Sequence, residues 1–493
     1  MAYVGERAVV LGGSIAGTLA ARVLAESYRE VLVVDRDKVV GVSEPRRGAP
    51  HARHAHSLHG QGQLIFEELF PGLMDELRAS GAPIADLGEI RWYFNARRLR
   101  PASTGVTSVA ALRPVLENHI RTRVAALPNV TYLEGYDITG LVATTGGERI
   151  VGARVQANAD TSSPEQVLTA DLVVDTTGRG SRTPVWLEKL GYDRPAEDRV
   201  KIALGYTTRL YRLRPEMLGG LHAINPVASP AHPRGAFFGR SSPELCIVSL
   251  TGILGDYPPT DHEGFLDFAR SLPVPDVYEA IRDAEPVTDP VAFRVAASVR
   301  RRYEKLTRFP DGLLVMGDAA CSFNPVYGQG MIVSAIEAKI LRKHLRRGKA
   351  PRPRKFLADI ARVIDVPWAT SAGADLEFPE VEGERTAKVR FGNGYAARVQ
   401  HAATVDPALT TGLMRVAGLL VKPPSLMRPD LAFRVLRHAW HRPEPGESWL
   451  ANEEQAPVAH PRPKLRLVRG GAEAAESRPA EQQEPPTEWR KAA

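Results

Sequence analysis

Residues 9–35 read VVLGGSIAGTLAARVLAESYREVLVVD. Positions 9–11 are a short apolar run of strand type, and Gly12, Gly13, Ser14, Ile15, Ala16 and Gly17 make a tight glycine turn. Small and apolar residues then recur at helical spacing over 18–27, and 30–34 is a second apolar strand ending in Asp35. Together these form a βαβ unit with the spacing of a dinucleotide site. Gly12 permits the sharp turn, and Gly17 permits the helix to lie close to the strand. The free N–H groups and the positive end of the helix then face a pyrophosphate. Asp35 stands where a carboxylate accepts hydrogen bonds from ribose hydroxyls. The middle glycine of G-x-G-x-x-G is Ser14, which adds a side chain where the backbone would near the phosphates. An ordinary tight strand–helix turn has similar small residues; the flanking strand and helix, with the acid at 35, favour the nucleotide reading.

A chain of 493 residues buries a large core and has room for two domains and appendages. Its first seven residues are short, carry both charge signs and run into the first strand, unlike a signal peptide. No apolar run reaches the roughly 18 residues that span a membrane, so a cytoplasmic protein is expected. Two cysteines, Cys246 and Cys321, exclude a disulfide framework and a cysteine metal cluster. The net charge of +7 fits attraction of anionic cofactors and does not indicate nucleic acid.

After Asp35 comes a basic loop, SEPRRGAPHARHAHSLHGQG, with His51, His54, His56 and His59. Close histidines suggest a metal, but no acid or cysteine joins them, and no metal is expected. The reading preferred is a cationic loop folded over a cofactor, with Arg46 or Arg53 near phosphate or ring oxygens; a solvated loop is the plain alternative. Positions 64–77 have a helical pattern, and 88–100 read as strands with a turn. Arg113 opens an amphipathic helix, RPVLENHIRTRVAAL; it either reaches back to the cofactor or sits at a solvated helix start. Residues 138–144 and 150–157 are a hairpin about Gly146-Gly147. The strand 172–174 runs into DTTGRGSRTPVWLEKLG, placing Asp175 and Gly178 at a strand end before a helix from about 183.

Residues 201–297 read as a mostly antiparallel sheet, with a last strand at 291–298 and short helices at 262–271 and 277–284. A buried strand, 312–316, then leads into GDAACSFNPVYGQGM and a long helix, 332–346. Gly317 and Asp318 sit at the strand end, and Pro325, Gly328, Gly330 and Met331 shape the approach to that helix start, a good place for delocalised negative charge. LRKHLRRGKAPRPRK, 341–355, reads as a solvated helix end and linker, with membrane-surface or nucleic-acid binding as the alternative. Residues 356–440 are helical and partly apolar, suited to cap the substrate region. Positions 451–493 are rich in Pro, Glu, Ala and Gln and are expected to be disordered.

GGSIAG with Asp35, DTTGRGS and GDAACSFNPVYGQGM, in that order, resemble the single-component (group A) FAD-dependent monooxygenases of the aromatic-hydroxylase fold. The resemblance covers about residues 7–345. Among these, RRGAPHARHAH, DTTGRGSRTPVWLEKLG and FNPVYGQGM are most similar to actinobacterial natural-product enzymes, including polyether flavin epoxidases. The resemblance implies an α/β chain: a Rossmann-like FAD domain (1–200 and 299–350), an inserted mostly antiparallel substrate sheet (201–298), a helical C-terminal region (351–450) and a tail (451–493). It implies that Gly12, Ser14, Ile15, Ala16 and Gly17 hold the pyrophosphate, Asp35 with Arg36 the adenosine side, and Arg46 and Arg113 other parts of the cofactor. Asp175 and Gly178 match a motif associated with FAD and NAD(P)H. Gly317 and Asp318 would hold the ribityl chain, and Pro325, Gly328, Gly330 and Met331 would face the flavin ring. Many hydroxylases have asparagine where Met331 stands.

The implied chemistry is reduction of bound FAD by transient NAD(P)H, addition of O₂ at C4a as a hydroperoxide, and delivery of one oxygen to a hydrophobic small molecule, giving a hydroxylated or epoxidised polyketide-type product. No second glycine-rich βαβ unit is present for the nicotinamide, and no catalytic acid or base can be named. The alternatives are a flavin-dependent reductase or halogenase on the same fold, although the W-x-W-x-I-P signature is absent, and a non-catalytic FAD-binding module.

Overall fold

The computed structural model describes residues 3–159 and 162–440. The expected disordered segment 451–493 lies outside the described residues, as does the end of the helical region, 441–450.

The first strand, Gly5–Leu11, is the centre of a five-stranded parallel sheet, flanked by Tyr28–Asp35 and Leu172–Asp175, with Val130–Glu134 and Leu313–Val315 at the edges. Ala8 to Leu11 are fully buried, as befits strands with a neighbour on each side and helices on both faces. Helix α1 (Ile15–Leu24) is buried along nearly all its length. Its small residues let it lie close to the sheet, wedged against α2 (Arg113–Ala125) and α3 (Gly330–Leu345). The strand following α1 pairs on one side of Gly5–Leu11 and Leu172–Asp175 on the other. That switch point, at the carboxyl end of the first strand, is where open α/β sheets form a crevice.

A seven-stranded sheet stands beside the first, in the order Val291–Val295, Leu204–Arg212, Leu245–Gly252, Arg234–Arg240, Ala223–Pro226, Ile90–Phe94, Arg97–Arg98. It is antiparallel except where Ile90–Phe94 runs parallel to Ala223–Pro226. Eight successive residues of Leu204–Arg212 are buried, because both faces are covered. Tyr211, Phe238 and Val248 pack under Phe265, Phe268 and Ile281 of helices His262–Arg270 and Asp276–Ile281.

Three local readings change. The single helix read at 64–77 is two, Gly60–Leu69 and Leu73–Ala79, broken at Pro71-Gly72, where Gly72 has φ +80°. The strands read at 88–100 join the larger sheet, turning at Asn95 and Ala96, both with positive φ as a tight hairpin turn requires. The strand read at 291–298 splits into Val291–Val295 and Ser298–Arg301, the latter paired with Glu197–Val200 and Cys321–Ser322.

The C-terminal helices are α4 (Pro353–Asp375), α5 (Ala387–Ala402), α6 (Pro407–Ala417) and α7 (Pro429–Arg437). Helix α4 packs on α3. The last three close a small core with Leu87, Leu99 and Val106, from the segment around Ile90–Phe94. No described helix is long and apolar enough to cross a membrane.

Candidate cofactor and substrate site

At the glycine turn, Gly12 has φ +100°, and a Cβ there would meet the Thr176 carbonyl oxygen at 2.8 Å. A Cβ on Gly17 would lie 1.8 Å from the Gly12 carbonyl oxygen, so this position takes glycine alone. The first N–H groups of α1, at Ile15, Ala16 and Gly17, have no acceptor within their own helix. Asp35, 6% exposed, ties the turn together: its carboxylate accepts from Gly13 N–H at 2.7 Å and Asp37 N–H at 2.9 Å. Arg46 donates to the same carboxylate at 3.2 Å, to Asp37 at 3.0 Å and to Ser14 Oγ at 2.6 Å. Arg46 therefore spans the acid and the turn; Arg53 is not on the cavity wall. Arg36 is on the wall but half exposed and paired with Asp137 at 3.3 Å.

Asp175 does not face the cavity. Burial is complete, and its carboxylate accepts from Thr177 N–H at 2.8 Å and from the hydroxyls of Thr177, Ser181 and Thr183 at 2.6, 2.5 and 2.7 Å. It shapes its own loop, so a direct contact from its carboxylate to a ligand is not available. That loop presents Gly178 and the exposed Arg179 and Arg182 to the cavity.

Asp318 faces the cavity, and among the described residues nothing donates to its carboxylate. Burial pushes its carboxyl upward, opposed by the guanidinium groups of Arg179, Arg113 and Arg301. Gly317 lies behind the wall: its N–H donates to Glu337 Oε2 at 2.6 Å, and a Cβ there would meet Ala16 Cβ at 2.7 Å. The first and third motifs thus touch. Pro325, Gly328 (φ +65°), Gly330 and Met331 line the cavity where α3 begins. Arg113 lies across from them, donating to Glu117 at 2.8 Å and contacting His56 at 3.3 Å. Burial lowers its guanidinium to about 10, so it stays charged at neutral pH.

The four histidines of the loop are buried or half-buried, not solvated. Desolvation lowers His54 and His56 to about 3 each, and His51 and His59 also fall, so the imidazoles are neutral. His54 packs edge-on to Tyr206 with ring centres 4.4 Å apart and bonds Thr208 Oγ1 at 2.7 Å. The loop's cationic contribution to the cavity wall comes from Arg46 and Arg47, not from histidine. Among the described residues no cluster of three or more His, Cys, Asp or Glu is arranged to hold a metal.

One cavity of 1870 Å³ joins these parts. Gly12, Ser14, Ile15, Ala16, Asp35, Arg36, Arg46, Arg113, Gly178, Asp318, Pro325, Gly328, Gly330 and Met331 are on its wall; Gly17, Asp175 and Gly317 stand behind it. Beyond the α3 start it widens into an apolar chamber between the seven-stranded sheet and α4–α6, lined by Trp92, Phe237, Phe293, Trp368 and Leu413. The wall fits an FAD: free N–H groups at α1, an unengaged carboxylate at Asp318, and a buried Arg46 Nε and Gln329 Oε1 that lack partners. Two residues that hold the turn went unremarked in the sequence. Arg121, 1% exposed, donates to the Gly13 and Val39 carbonyl oxygens, and Glu117, 2% exposed, pairs with it and with Arg113. The only trace in the sequence is their spacing, Arg113, Glu117, Arg121, on one helical stripe.

Solved structures share this architecture. The flavin-dependent brominase Bmp2, as a triple mutant, superposes with a TM-score of 0.61 at 16% identity over 86% of this chain and 98% of that one. PqsL of Pseudomonas aeruginosa, described as a probable FAD-dependent monooxygenase, gives 0.57 at 16% identity over 85% of this chain and 100% of that one. The fold is therefore that of the FAD-dependent hydroxylases and halogenases. No protein-family model matches the chain. Protein Rv3254 of Mycobacterium tuberculosis is 32% identical over 430 residues, covering 84% of this chain and 90% of that protein. The chain belongs to the family of Protein Rv3254.

Proposed function

We propose that this chain is an FAD-dependent monooxygenase that uses NAD(P)H and O₂ to hydroxylate or epoxidise a hydrophobic small molecule, in keeping with polyketide-type secondary metabolites. The observation that carries the reading is the single cavity in which the glycine turn, Asp318 and the α3 start open directly into a large apolar chamber. Bound FAD supplies the oxygen-activating chemistry. The chain's own residues do the rest. The α1 N–H groups and Arg46 take the pyrophosphate, and Asp35 uses its remaining acceptor capacity for the ribose. Asp318 takes the polar chain leading to the ring, and the α3 N-terminus favours negative charge on the ring. The apolar chamber binds substrate by burial and excludes water from the reacting centre. Residues 1–200 and 299–350 serve as the cofactor part, 201–298 as the substrate sheet and 351–450 as its cover, with Ile90–Phe94 lent to the sheet by the first part.

The test is NADPH and NADH oxidation in air by the flavin-loaded chain with candidate polyketides, followed by product analysis under ¹⁸O₂. One labelled oxygen in the product supports the reading. Turnover without O₂ means a reductase, dependence on halide means a halogenase, and label drawn only from water overturns the monooxygenase.

A further inference from the structure

Helix α7 carries apolar side chains over a wider arc than the face it buries. Its inner face, Leu431 and Val435, packs into the core with α5 and α6, with Val435 2% exposed. Its outer face carries Phe433 and Leu436, 67% and 63% exposed, and the turn that follows adds Trp440, 85% exposed. A spacing of three puts Phe433 and Leu436 side by side on the helix, and Trp440 follows just past its end. Single exposed apolar residues are ordinary, whereas a contiguous stripe of large ones marks an interaction surface.

Helix α7 packs on elements that also line the cavity. Helix α7 packs against α5 and against the turn Pro423–Met427. From those elements the exposed Lys388, Phe391, Lys422 and Met427 line the cavity. The surroundings are strongly cationic. Residues 385–440 hold nine lysines and arginines, two aspartates and no glutamate. Both aspartates are engaged, Asp406 with Arg434 and Asp430 with Arg428. Lys388, Lys422 and Arg437 have no carboxylate partner among the described residues.

We propose that the Phe433–Leu436–Trp440 stripe and the cationic rim dock on an anionic lipid bilayer, with the cavity mouth turned to the membrane. Aromatic and aliphatic side chains flanked by arginine and lysine suit the interface between head groups and acyl chains. A second copy would bring the same unpaired cations face to face, which like-charge repulsion opposes. Residues 441–493 carry nine glutamates against eight lysines and arginines, so they offer almost no opposite net charge. Docking does not depend on which reaction the site performs. Entry of substrate from the lipid phase rests on the proposed function.

The full chain is sedimented with vesicles of equal parts phosphatidylcholine and phosphatidylglycerol, and with phosphatidylcholine alone. Binding is expected to the anionic vesicles, weaker by about tenfold or more without phosphatidylglycerol, and reduced by added salt. The triple variant Phe433→Ser, Leu436→Ser, Trp440→Ser is expected to lose binding about tenfold or more with an unchanged melting temperature; Arg437→Glu reduces binding less. No binding to anionic vesicles, or equal binding by the triple variant, overturns the proposal. A wild-type dimer that the triple variant converts to monomer assigns the face to a second copy and overturns it too. The flavin spectrum of the same preparation is read separately, so failure of docking and failure of the cofactor reading are distinguishable.

Discussion

Arg121 donates from Nε to the carbonyl oxygen of Gly13 at 3.0 Å, from 108 positions further along the chain. The contact fixes the underside of the glycine turn to α2, and Arg121 also binds the Val39 carbonyl oxygen at 3.2 Å. Glu117 is buried and also pairs with Arg113 at 2.8 Å, so removing the Arg121 guanidinium takes one of its two close cations and leaves the Gly13 and Val39 carbonyl oxygens without this donor. Arg121→Met is expected to cost about 1–3 kcal/mol, read as a lower denaturant midpoint. An Arg121→Met chain that unfolds like the parent would mean the turn does not need this prop.

Asp375, at the end of α4, plays a similar part for the third motif. Its Oδ1 accepts from Asn324 Nδ2 at 2.8 Å and from Tyr327 OH at 2.9 Å, both on the loop that precedes Gly328. Asp375→Leu leaves two donors without an acceptor, at about 1–3 kcal/mol each. Asp375→Asn keeps an acceptor and should lose less. FAD dissociation is expected to be faster in the leucine variant than in the asparagine variant, measured by the return of free-flavin fluorescence after dilution; equal rates would sink the idea that this carboxylate positions the loop.

Glu337 sets a pH dependence. Burial, with a smaller contribution from nearby Asp318, raises its carboxyl from an ordinary 4.5 to about 8. The folded chain therefore holds a proton that the unfolded chain releases, and stability present at low pH is lost as pH rises from about 4.5 to 8. Glu337→Gln has no such proton to lose. Its stability relative to the parent should rise between pH 5 and pH 8, as followed by thermal unfolding across that range. A difference that stays flat with pH contradicts the assignment.

The βαβ unit and its glycine turn were readable in the sequence because glycine spacing and Asp35 are local: strand, turn, helix and strand all fall within 9–35. Long-range consequences were not. Nothing near Asp175 announces that Thr177, Ser181 and Thr183 will consume its carboxylate, since an acid at a strand end looks alike whether it serves a ligand or its own loop. The basic loop with its four histidines lines the cavity. The burial of His51 and His54 is against Phe293 and Tyr206, partners more than a hundred residues away. Ile90–Phe94 read as a strand, but its place in the second sheet is set by pairing with Ala223–Pro226, which no local pattern encodes. The outward stripe on α7 was hidden for the opposite reason. Its apolar residues are continuous with those of the buried face, so the sequence shows one apolar arc of which the structure buries only part.

Two substitutions probe the cofactor wall from different sides. Gly17→Val forces a side chain into the Gly12 carbonyl oxygen, which a Cβ would approach to 1.8 Å, so it should lower both stability and FAD content. Asp318→Ala removes a carboxylate that accepts no hydrogen bond from any described residue, so it should fold like the parent and purify depleted of FAD. A fully yellow Asp318→Ala chain would remove Asp318 from the cofactor site.

The central claim, that this wall binds FAD, is met most directly by the visible spectrum of the purified chain and the identity of what it releases on denaturation. Flavin absorbance bands with FAD released in about equimolar amount are the predicted result. A colourless chain that takes up no FAD on reconstitution would contradict the account at its base.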